Sequence, residues 1–237
     1  MRIHRPIAAS LAASAFSFLA LSLSALSAAH AQDATPQQSQ PWEDYERVQV
    51  ALLAGMTQPL LLGGGNVQAD VYYKRFSFAY SHGFNLQFTG SAVTGEAADQ
   101  GLAFTMPYTT GFGVGARLLE WLDVRLEGKL HRFDVREANA TQTSFSYSTI
   151  TLGAGIYARY RPFYHFSAKT WAPTWMHGIV VAPSVRFWPN VWTSLEDDER
   201  LYNNTTTTKQ ETHTALRAGV ANTALVGNIG LGYMVTF

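Results

Sequence analysis

Strict alternation of apolar and polar positions is the clearest pattern in the chain, and it is sharpest in the final residues, NIGLGYMVTF. The apolar side chains there take the odd positions from Ile229 to Phe237, and small or polar residues take the even ones. A period of two is that of a β-strand whose two faces meet different surroundings. The sequence therefore ends within its most regular predicted strand.

The same alternation recurs upstream and changes phase at short polar turns. Between residues 67 and 80 the apolar set moves from odd to even positions across Lys74 and Arg75, as it does in a β-hairpin. A second such turn is predicted near Glu120. These patterns predict eight strands, at about 47 to 57, 66 to 73, 75 to 88, 103 to 118, 122 to 135, 147 to 161, 178 to 193 and 225 to 237.

The predicted connections alternate in length. Those near 74 and 120 are short, whereas three others are long and polar, at 89 to 102, 136 to 146 and 194 to 224. The connection at 162 to 177 is of middling length and breaks the rule. Short turns at one end and long loops at the other are typical of a transmembrane β-barrel.

The second face of the strands separates two kinds of β protein. One face of the fifth predicted strand carries leucines and a valine, and its other face carries charges from Asp123 to His131. A soluble β-sandwich, the alternative, would turn those charges to water, whereas a small membrane barrel turns them into a packed lumen. Charged residues are only 14% of the chain, which favours the barrel. The predicted lumen charges are Asp70, Arg117, Asp123, Arg125, Glu127, Lys129, His131, Arg159 and Arg186.

Aromatic residues cluster at both ends of the predicted strands and suggest two interfacial girdles. At the short-turn ends they are Tyr73, Phe76, Trp121, Tyr160, Phe163 and Phe237. Near the long-loop ends they are Phe84, Phe88, Phe104, Tyr108, Phe145 and Tyr147.

The N-terminus has the pattern of a secretory signal peptide. Arg2 and Arg5 precede an apolar stretch from 7 to 28, and the small residues of AHA then predict cleavage after Ala31. Residues 32 to 46 are polar and rich in Gln and Pro, so we expect a flexible periplasmic lead. The predicted organisation is a signal peptide at 1 to 31, this lead, and a barrel over 47 to 237.

Taken together, these features resemble the small outer-membrane β-barrel proteins of Gram-negative bacteria, the porin-like, eight-stranded family. The resemblance implies an all-β, closed, antiparallel up-and-down barrel in the outer membrane, in contact with its lipid and lipopolysaccharide. In that family the barrel assembly machinery reads a final alternating strand that ends in Phe. Tyr233, Val235 and Phe237 match that assembly signal. Ten strands remain an alternative to eight.

Few residues suggest chemistry beyond the barrel wall. The zero formal charge argues against nucleic-acid binding, and the absence of cysteine excludes thiolate sites. The histidines lack ligand spacing, so we expect no metal and no cofactor. Ser81 and His82 raise the possibility of a lipid A hydrolase, although a period of two places them on opposite faces unless Gly83 introduces a bulge.

The sequence therefore favours a non-enzymatic integral outer-membrane barrel. Its packed, charged lumen would support surface loops that serve envelope integrity or surface interaction. Two alternatives stay open: a narrow porin for small solutes, and a lipid A-modifying enzyme that uses the Ser81 and His82 region. Eight strands leave little room for a channel.

Overall fold

A computed structural model describes residues 47–89, 93, 96–166, 173–216 and 225–237. The predicted signal peptide and periplasmic lead lie outside these ranges. The strands are β1 (Gln49–Gly55), β2 (Gly65–Tyr73), β3 (Phe76–Phe88), β4 (Leu102–Leu119), β5 (Leu122–Glu137), β6 (Phe145–Ala158), β7 (Ile179–Phe187), β8 (Asn190–Thr193), β9 (Glu199–Asn204), β10 (Lys209–Thr214) and β11 (Leu225–Thr236). The helices are α1 (Thr57–Leu61), α2 (Glu96–Asp99), α3 (Pro162–Phe166) and a 3-10 helix (Thr174–Gly178). None of the helices in these ranges is long and apolar enough to cross a membrane.

The strands close into a single ring. From β1 to β6 each strand pairs antiparallel with the next, β6 pairs with β7 and β8, and β7 returns through β11 to β1. β7 and β8 together form one strand of the barrel wall, which is interrupted at Trp188 and Pro189. The barrel wall therefore has eight strands. The predicted eight-stranded antiparallel barrel is confirmed. β9 and β10 form a separate hairpin within the connection at 194 to 224, which the alternation did not predict.

The two ends of the barrel differ, as the connection lengths predicted. The end with the hairpin turns at 74 to 75 and 120 to 121 is called the turn end here, and the opposite end is the loop end. The turn end also carries the connection between β6 and β7, with α3 and the 3-10 helix. Chain order thus places α1, α2 and the β9–β10 hairpin at the loop end.

Over most of its height the barrel is apolar outside and mostly polar inside, apart from a small buried apolar cluster on β1, β2, β7 and β11. Phe112 and Leu126 are 71% and 67% exposed on the outer surface, whereas Asp123 and Arg125 are buried in the interior. This is the reverse of a soluble protein, in which apolar side chains leave water. The outer surface therefore suits a hydrocarbon environment.

Close to the loop end this polarity inverts. The outer face of β5 is apolar as far as Leu130 and polar from Arg132 onward, whereas its inner face is polar as far as His131 and apolar at Phe133 and Val135, before Glu137 ends the strand. The outer face of the neighbouring strand β6 also changes from apolar to polar at this level, since Ile150 pairs with Leu130 and Ser148 pairs with Arg132. The part of the barrel below this level is called the lower tier, and its outer surface suits lipid. The part above it is called the upper tier, and its outer surface suits water.

Strands β3 and β4 reach the upper tier through a change of phase. The inward positions of β3 shift from odd to even beyond Gly83, and those of β4 shift between Thr109 and Met106. Asn85 there has a left-handed φ of 52°, and the register of β4 against β5 slips by one residue. An irregularity of this kind re-aims the following side chains, as β-bulges do.

A hydrophobic core fills the upper tier. Its buried members are Leu86, Phe88, Val93, Ala97, Leu102, Phe104, Met106, Phe133, Val135, Tyr147, Tyr202, Ala215 and Leu216, and Phe145 packs against them. The predicted loop-end girdle was therefore wrong for Phe88, Phe104, Phe145 and Tyr147, because the phase change and the inverted polarity turn these rings inward. Phe84 and Tyr108 do lie exposed on the outer surface.

The polarity inversion makes a prediction for two arginine substitutions on the outer face. Leu126→Arg places a charge in the apolar belt and should cost ~2 to 4 kcal/mol near a bilayer midplane. Ser148→Arg lies on the same face of the neighbouring strand, above the inversion, and should cost much less. Urea unfolding in liposomes measures both. Equal losses would contradict the position assigned to the boundary.

Candidate functional site

The structure places all nine predicted lumen charges inside the barrel, each less than one tenth exposed. They separate into a group around Tyr72 near the turn end and a group around Glu127 higher in the lumen. Five of the nine are basic and three are acidic, and the ninth is His131.

Arg125 is the centre of the lower group. Its two terminal nitrogens donate to the two carboxylate oxygens of Asp70 at 2.9 and 3.0 Å, and its Nε donates to Asp123. Tyr72 Oη accepts a bond of 2.7 Å from Arg125 and donates one of 2.7 Å to Asp70. Two strands separate β2 from β5 in the barrel wall, so these bonds cross the lumen.

Two further arginines close the turn end of the lumen. Arg159 donates to the backbone oxygen of Glu120 at 2.7 Å, and its guanidinium lies 3.7 Å from the centre of the Tyr72 ring. Arg117 donates to the backbone oxygens of Glu120 and Lys74, both at 3.4 Å. The arginines thereby hold carbonyl groups of the hairpin turns.

The upper group contains residues that the sequence did not single out. Glu127 accepts a 2.8 Å bond from Trp188 Nε1 and another bond from Tyr157 Oη. Lys129 Nζ lies 4.2 Å from the Trp188 ring centre. Trp188 lies at the interruption between β7 and β8, and it faces inward in phase with the buried even-numbered residues of β7.

Arg186 and His131, the last two of the predicted lumen charges, are also hydrogen-bonded. Arg186 donates to Gln68 Oε1 at 3.0 Å. His131 joins Thr109 Oγ1 at 2.8 Å and Thr151 Oγ1 at 2.9 Å, at the top of the polar interior. Buried polar groups are tolerated when they are paired in this way.

Glycines make room for the long charged side chains of β5. In the register of the sheet, Arg125 lies between Gly115 of β4 and Gly155 of β6, and Glu127 lies between Gly113 and Gly153. A Cβ at Gly115 would meet backbone oxygen of the β5 strand and the Arg125 side chain. The alternating glycines of GFGVGAR were a sequence signal for this packing, although only the register shows which charges they flank.

The structure does not bring Ser81 and His82, the residues of the alternative lipid A site, together. Ser81 is buried and accepts a 2.6 Å hydrogen bond from Lys129, whereas His82 is half-buried on the opposite face of β3. A serine beside a lysine can in principle act as a nucleophile and its base. Here the pair is enclosed, because Trp188 covers Lys129 and the upper core lies above it.

The β9–β10 hairpin caps the upper tier. Tyr202 of β9 and Ala215 and Leu216 after β10 belong to the upper core. The ring of His213 lies 5.5 Å from that of Phe104 and 5.6 Å from that of Tyr147. Burial among these rings lowers the pKa of His213 to about 4.

Glu137, at the loop-end tip of β5, holds the turn of this cap. Its carboxylate accepts bonds from the backbone N–H and the hydroxyl of both Thr205 and Thr206, at 2.7 to 2.9 Å. These bonds to the charged form lower the pKa of Glu137 to about 2. The sequence carries no signal for this role of Glu137, since nothing in the alternation indicates what lies beyond the end of a strand.

A second carboxylate orders the hairpin itself. Glu211 accepts bonds from Asn204 Nδ2 at 2.8 Å, from Thr207 Oγ1 at 2.8 Å and from Tyr202 Oη at 3.1 Å. The bond from Asn204 is the largest of the effects that lower the pKa of Glu211. Burial, with the bond to Glu211, raises the pKa of Tyr202 to about 12. The loop-end cap is thus held to the barrel and within itself by specific bonds.

The three residues of the predicted assembly signal face outward. Tyr233 and Val235 are exposed on β11, and Phe237 is 73% exposed just beyond it. Tyr233 Oη donates to the backbone oxygen of Trp175 at 2.8 Å. A Cβ at Gly178 would overlap the Tyr233 ring, so glycine allows the 3-10 helix to approach this strand.

A matched pair of glycine substitutions tests the lumen packing. Gly115→Ala forces the added methyl group against β5 and Arg125, and overpacking of this kind costs ~1 to 3 kcal/mol. Gly227→Ala, on the outer face of β11, meets no neighbouring atom within 4 Å and should be neutral or slightly stabilising. Unfolding free energies of both variants, measured in the same detergent, should differ in this order.

The cap should loosen as the pH falls, in two stages. The folded pKa of His213 lies below its unfolded value of ~6.5, so an opened cap takes up a proton that the closed cap excludes, and stability falls between pH ~6.5 and ~4. The pKa of Glu137 is also depressed, so its contribution is complete above ~4.3 and is lost as the pH falls toward about 2. Hydrogen exchange of residues 199 to 214, corrected for intrinsic rates, reports both stages. The His213→Phe variant should lack the first stage alone.

Comparison with known proteins gives weak structural likenesses. No family model matches the chain, and no curated protein sequence matches it. Among solved structures, it is similar to Neisserial surface protein A, with 14% identity and a TM-score of 0.36 over 81% of this chain and 96% of that one. It is also similar to Ail, the attachment invasion locus protein of Yersinia pestis, with 12% identity and a TM-score of 0.33 over 80% of this chain and 97% of that one. The strand pairing of the chain itself establishes its fold, a small, closed, eight-stranded antiparallel β-barrel.

Proposed function

We propose that the chain is a non-enzymatic integral outer-membrane barrel that anchors a rigid cap at the cell surface. The observation that carries the proposal is the inversion of polarity between Leu130 and Arg132 on β5. A surface that is apolar over one height and polar above it fits a bilayer with water beyond it. A soluble barrel gains nothing from such a boundary.

The height of the apolar belt supports this proposal. On β5 it extends from Leu122 to Leu130, close to the roughly 9 to 11 residues with which a tilted strand crosses a bilayer. Exposed aromatic rings border it, with Phe84 and Tyr108 at the loop end and Tyr73 and Phe76 at the turn end. The proposed partners of this belt are outer-membrane lipid and lipopolysaccharide.

Export and assembly rest on sequence features. The predicted signal peptide at 1 to 31 would deliver the chain to the periplasm, and the outward-facing Tyr233, Val235 and Phe237 would be read by the barrel assembly machinery. Gram-negative barrels keep short turns on the periplasmic side and long loops outside. The capped loop end would accordingly face the exterior.

The filled interior favours an anchor over a narrow porin. Side-chain bonds from Arg125 to Asp70 cross the lower lumen, and Lys129, Trp188 and Glu127 occupy the level above. A hydrophobic core and the β9–β10 hairpin then close the loop end. Solute passage would require breaking paired charges and also opening the cap.

Planar-bilayer recording separates these two functions. The purified protein should give no unitary conductance steps above the background of the detergent buffer, because both tiers of the interior are occupied. A porin of known conductance, inserted in the same bilayers, verifies that insertion is detectable. Reproducible steps from this chain would replace the anchor with the porin alternative.

The assembly role of the final residue is testable by a matched aromatic pair. Phe237→Ala and Phe76→Ala each remove an exposed ring at the turn end and should cost similar amounts of interfacial burial, at most ~1.5 to 3 kcal/mol. If Phe237 is also an assembly signal, only its substitution should strongly reduce insertion in cells, while both variants refold similarly in detergent. A similar insertion defect for the two variants would leave Phe237 with a structural role alone.

A further inference from the structure

Charge is unevenly distributed between the two ends of the barrel. Within the described residues, the loop end carries nine acidic and four basic side chains. The acidic ones are Glu96, Asp99, Asp134, Glu137, Glu196, Asp197, Asp198, Glu199 and Glu211, and the basic ones are Arg132, Arg136, Arg200 and Lys209. The turn end has the opposite balance outside the lumen. Among the described residues its basic side chains, named the basic crown here, are Arg47, Lys74, Arg75 and Arg161, against Glu120 and the carboxylate of Phe237.

The register of the sheet brings three members of the crown together. Gln49 of β1 pairs with Tyr72 of β2, so extending the two strands by two residues places Arg47 level with Lys74. Arg75 follows in the same two-residue turn, and all three side chains are exposed. Lys74 adopts a left-handed φ of 49°, which the tight turn requires. Hairpin geometry thus concentrates these cations at one point of the rim.

The crown lies directly at the edge of the turn-end aromatic residues. Lys74 Nζ lies 5.5 Å from the centre of the Tyr73 ring, and the Arg161 guanidinium lies 3.6 Å from that of Tyr164. Phe76, which is 61% exposed, follows the Lys74–Arg75 turn at once. Long basic side chains beside interfacial rings keep their stems along apolar surface and extend their charges toward the headgroups.

We propose that the basic crown binds anionic phospholipid headgroups in the periplasmic leaflet. This proposal rests on the proposed outer-membrane function, which sets the height of the bilayer and the direction of the turn end. Charge complementarity identifies the occupant, because exposed cations at phosphate level favour a lipid with net negative charge over a zwitterionic one. The acidic loop end provides no equivalent attraction.

Lipid selectivity tests the crown directly. The full-length mature protein is placed in nanodiscs of equal parts phosphatidylglycerol and phosphatidylcholine, and native mass spectrometry counts the lipids that stay bound. Near an anionic surface each basic residue contributes roughly fivefold to attraction. We therefore expect the wild type to retain phosphatidylglycerol several-fold over phosphatidylcholine, and we expect added salt to reduce this preference.

Paired charge substitutions assign the effect to one end. Lys74→Gln with Arg75→Gln removes two exposed crown charges and should abolish most of the preference. Arg200→Gln with Lys209→Gln removes two exposed charges from the loop-end cap and should leave the preference unchanged. An unchanged preference in the crown variant, an equal loss in the cap variant, or a wild type without preference would each overturn the proposal.

The outcome also distinguishes this proposal from the proposed function on which it rests. Failure of the wild type to insert into bilayers as a protease-resistant barrel would refute the outer-membrane function itself. Normal insertion with no lipid preference would refute only the basic crown as a lipid site. Preferential retention of phosphatidylglycerol that depends on Lys74 and Arg75 supports both.

Discussion

The lower barrel depends on the bonds that join Arg125 to Asp70 across the lumen. Arg125 contacts Asp70, Asp123 and Tyr72 at once, and all of them are buried. A charge removed from water is tolerated only where partners replace the water, and loss of one partner from such a pair typically costs ~3 to 5 kcal/mol. This arrangement depends on the glycines of β4 and β6, which make room for the β5 side chains. It also depends on the arginines at the turn end and on the closed ring of strands. It also fills the space that a channel would need.

Two environments act on one set of strands. In the lower tier the outer surface is apolar and the interior is polar, and in the upper tier both are reversed. Hydrophobic burial can therefore stabilise the upper tier as it does a soluble domain, while the lower tier combines paired charges with a small buried apolar cluster. The cap completes the upper core and is held by the carboxylates of Glu137 and Glu211. A loop supported in this way presents an ordered surface, which the proposed role at the cell surface would use.

Closure of the barrel separates the two ends electrostatically. In the part of the chain that the structure describes, the lumen contains five basic and three acidic groups besides His131, the loop end is mostly acidic, and the exposed rim of the turn end is mostly basic. The described residues are neutral overall, so composition alone conceals this separation. The strand order creates it, because each hairpin carries residues that are adjacent in sequence to the same end of the molecule.

The sequence by itself determined the barrel class and the face on which each lumen charge lies, since a period of two follows from backbone geometry alone, and it favoured eight strands without excluding ten. Only the tertiary structure decided what faces each charge across the lumen, because Asp70 and Arg125 are separated by 55 residues and two intervening strands. It also decided the inward turn of Phe104 and Tyr147 and the hairpin that covers them. Alternation gives the side of a strand on which a residue lies, whereas the surroundings of that side depend on bulges, register and loops contributed by distant parts of the chain.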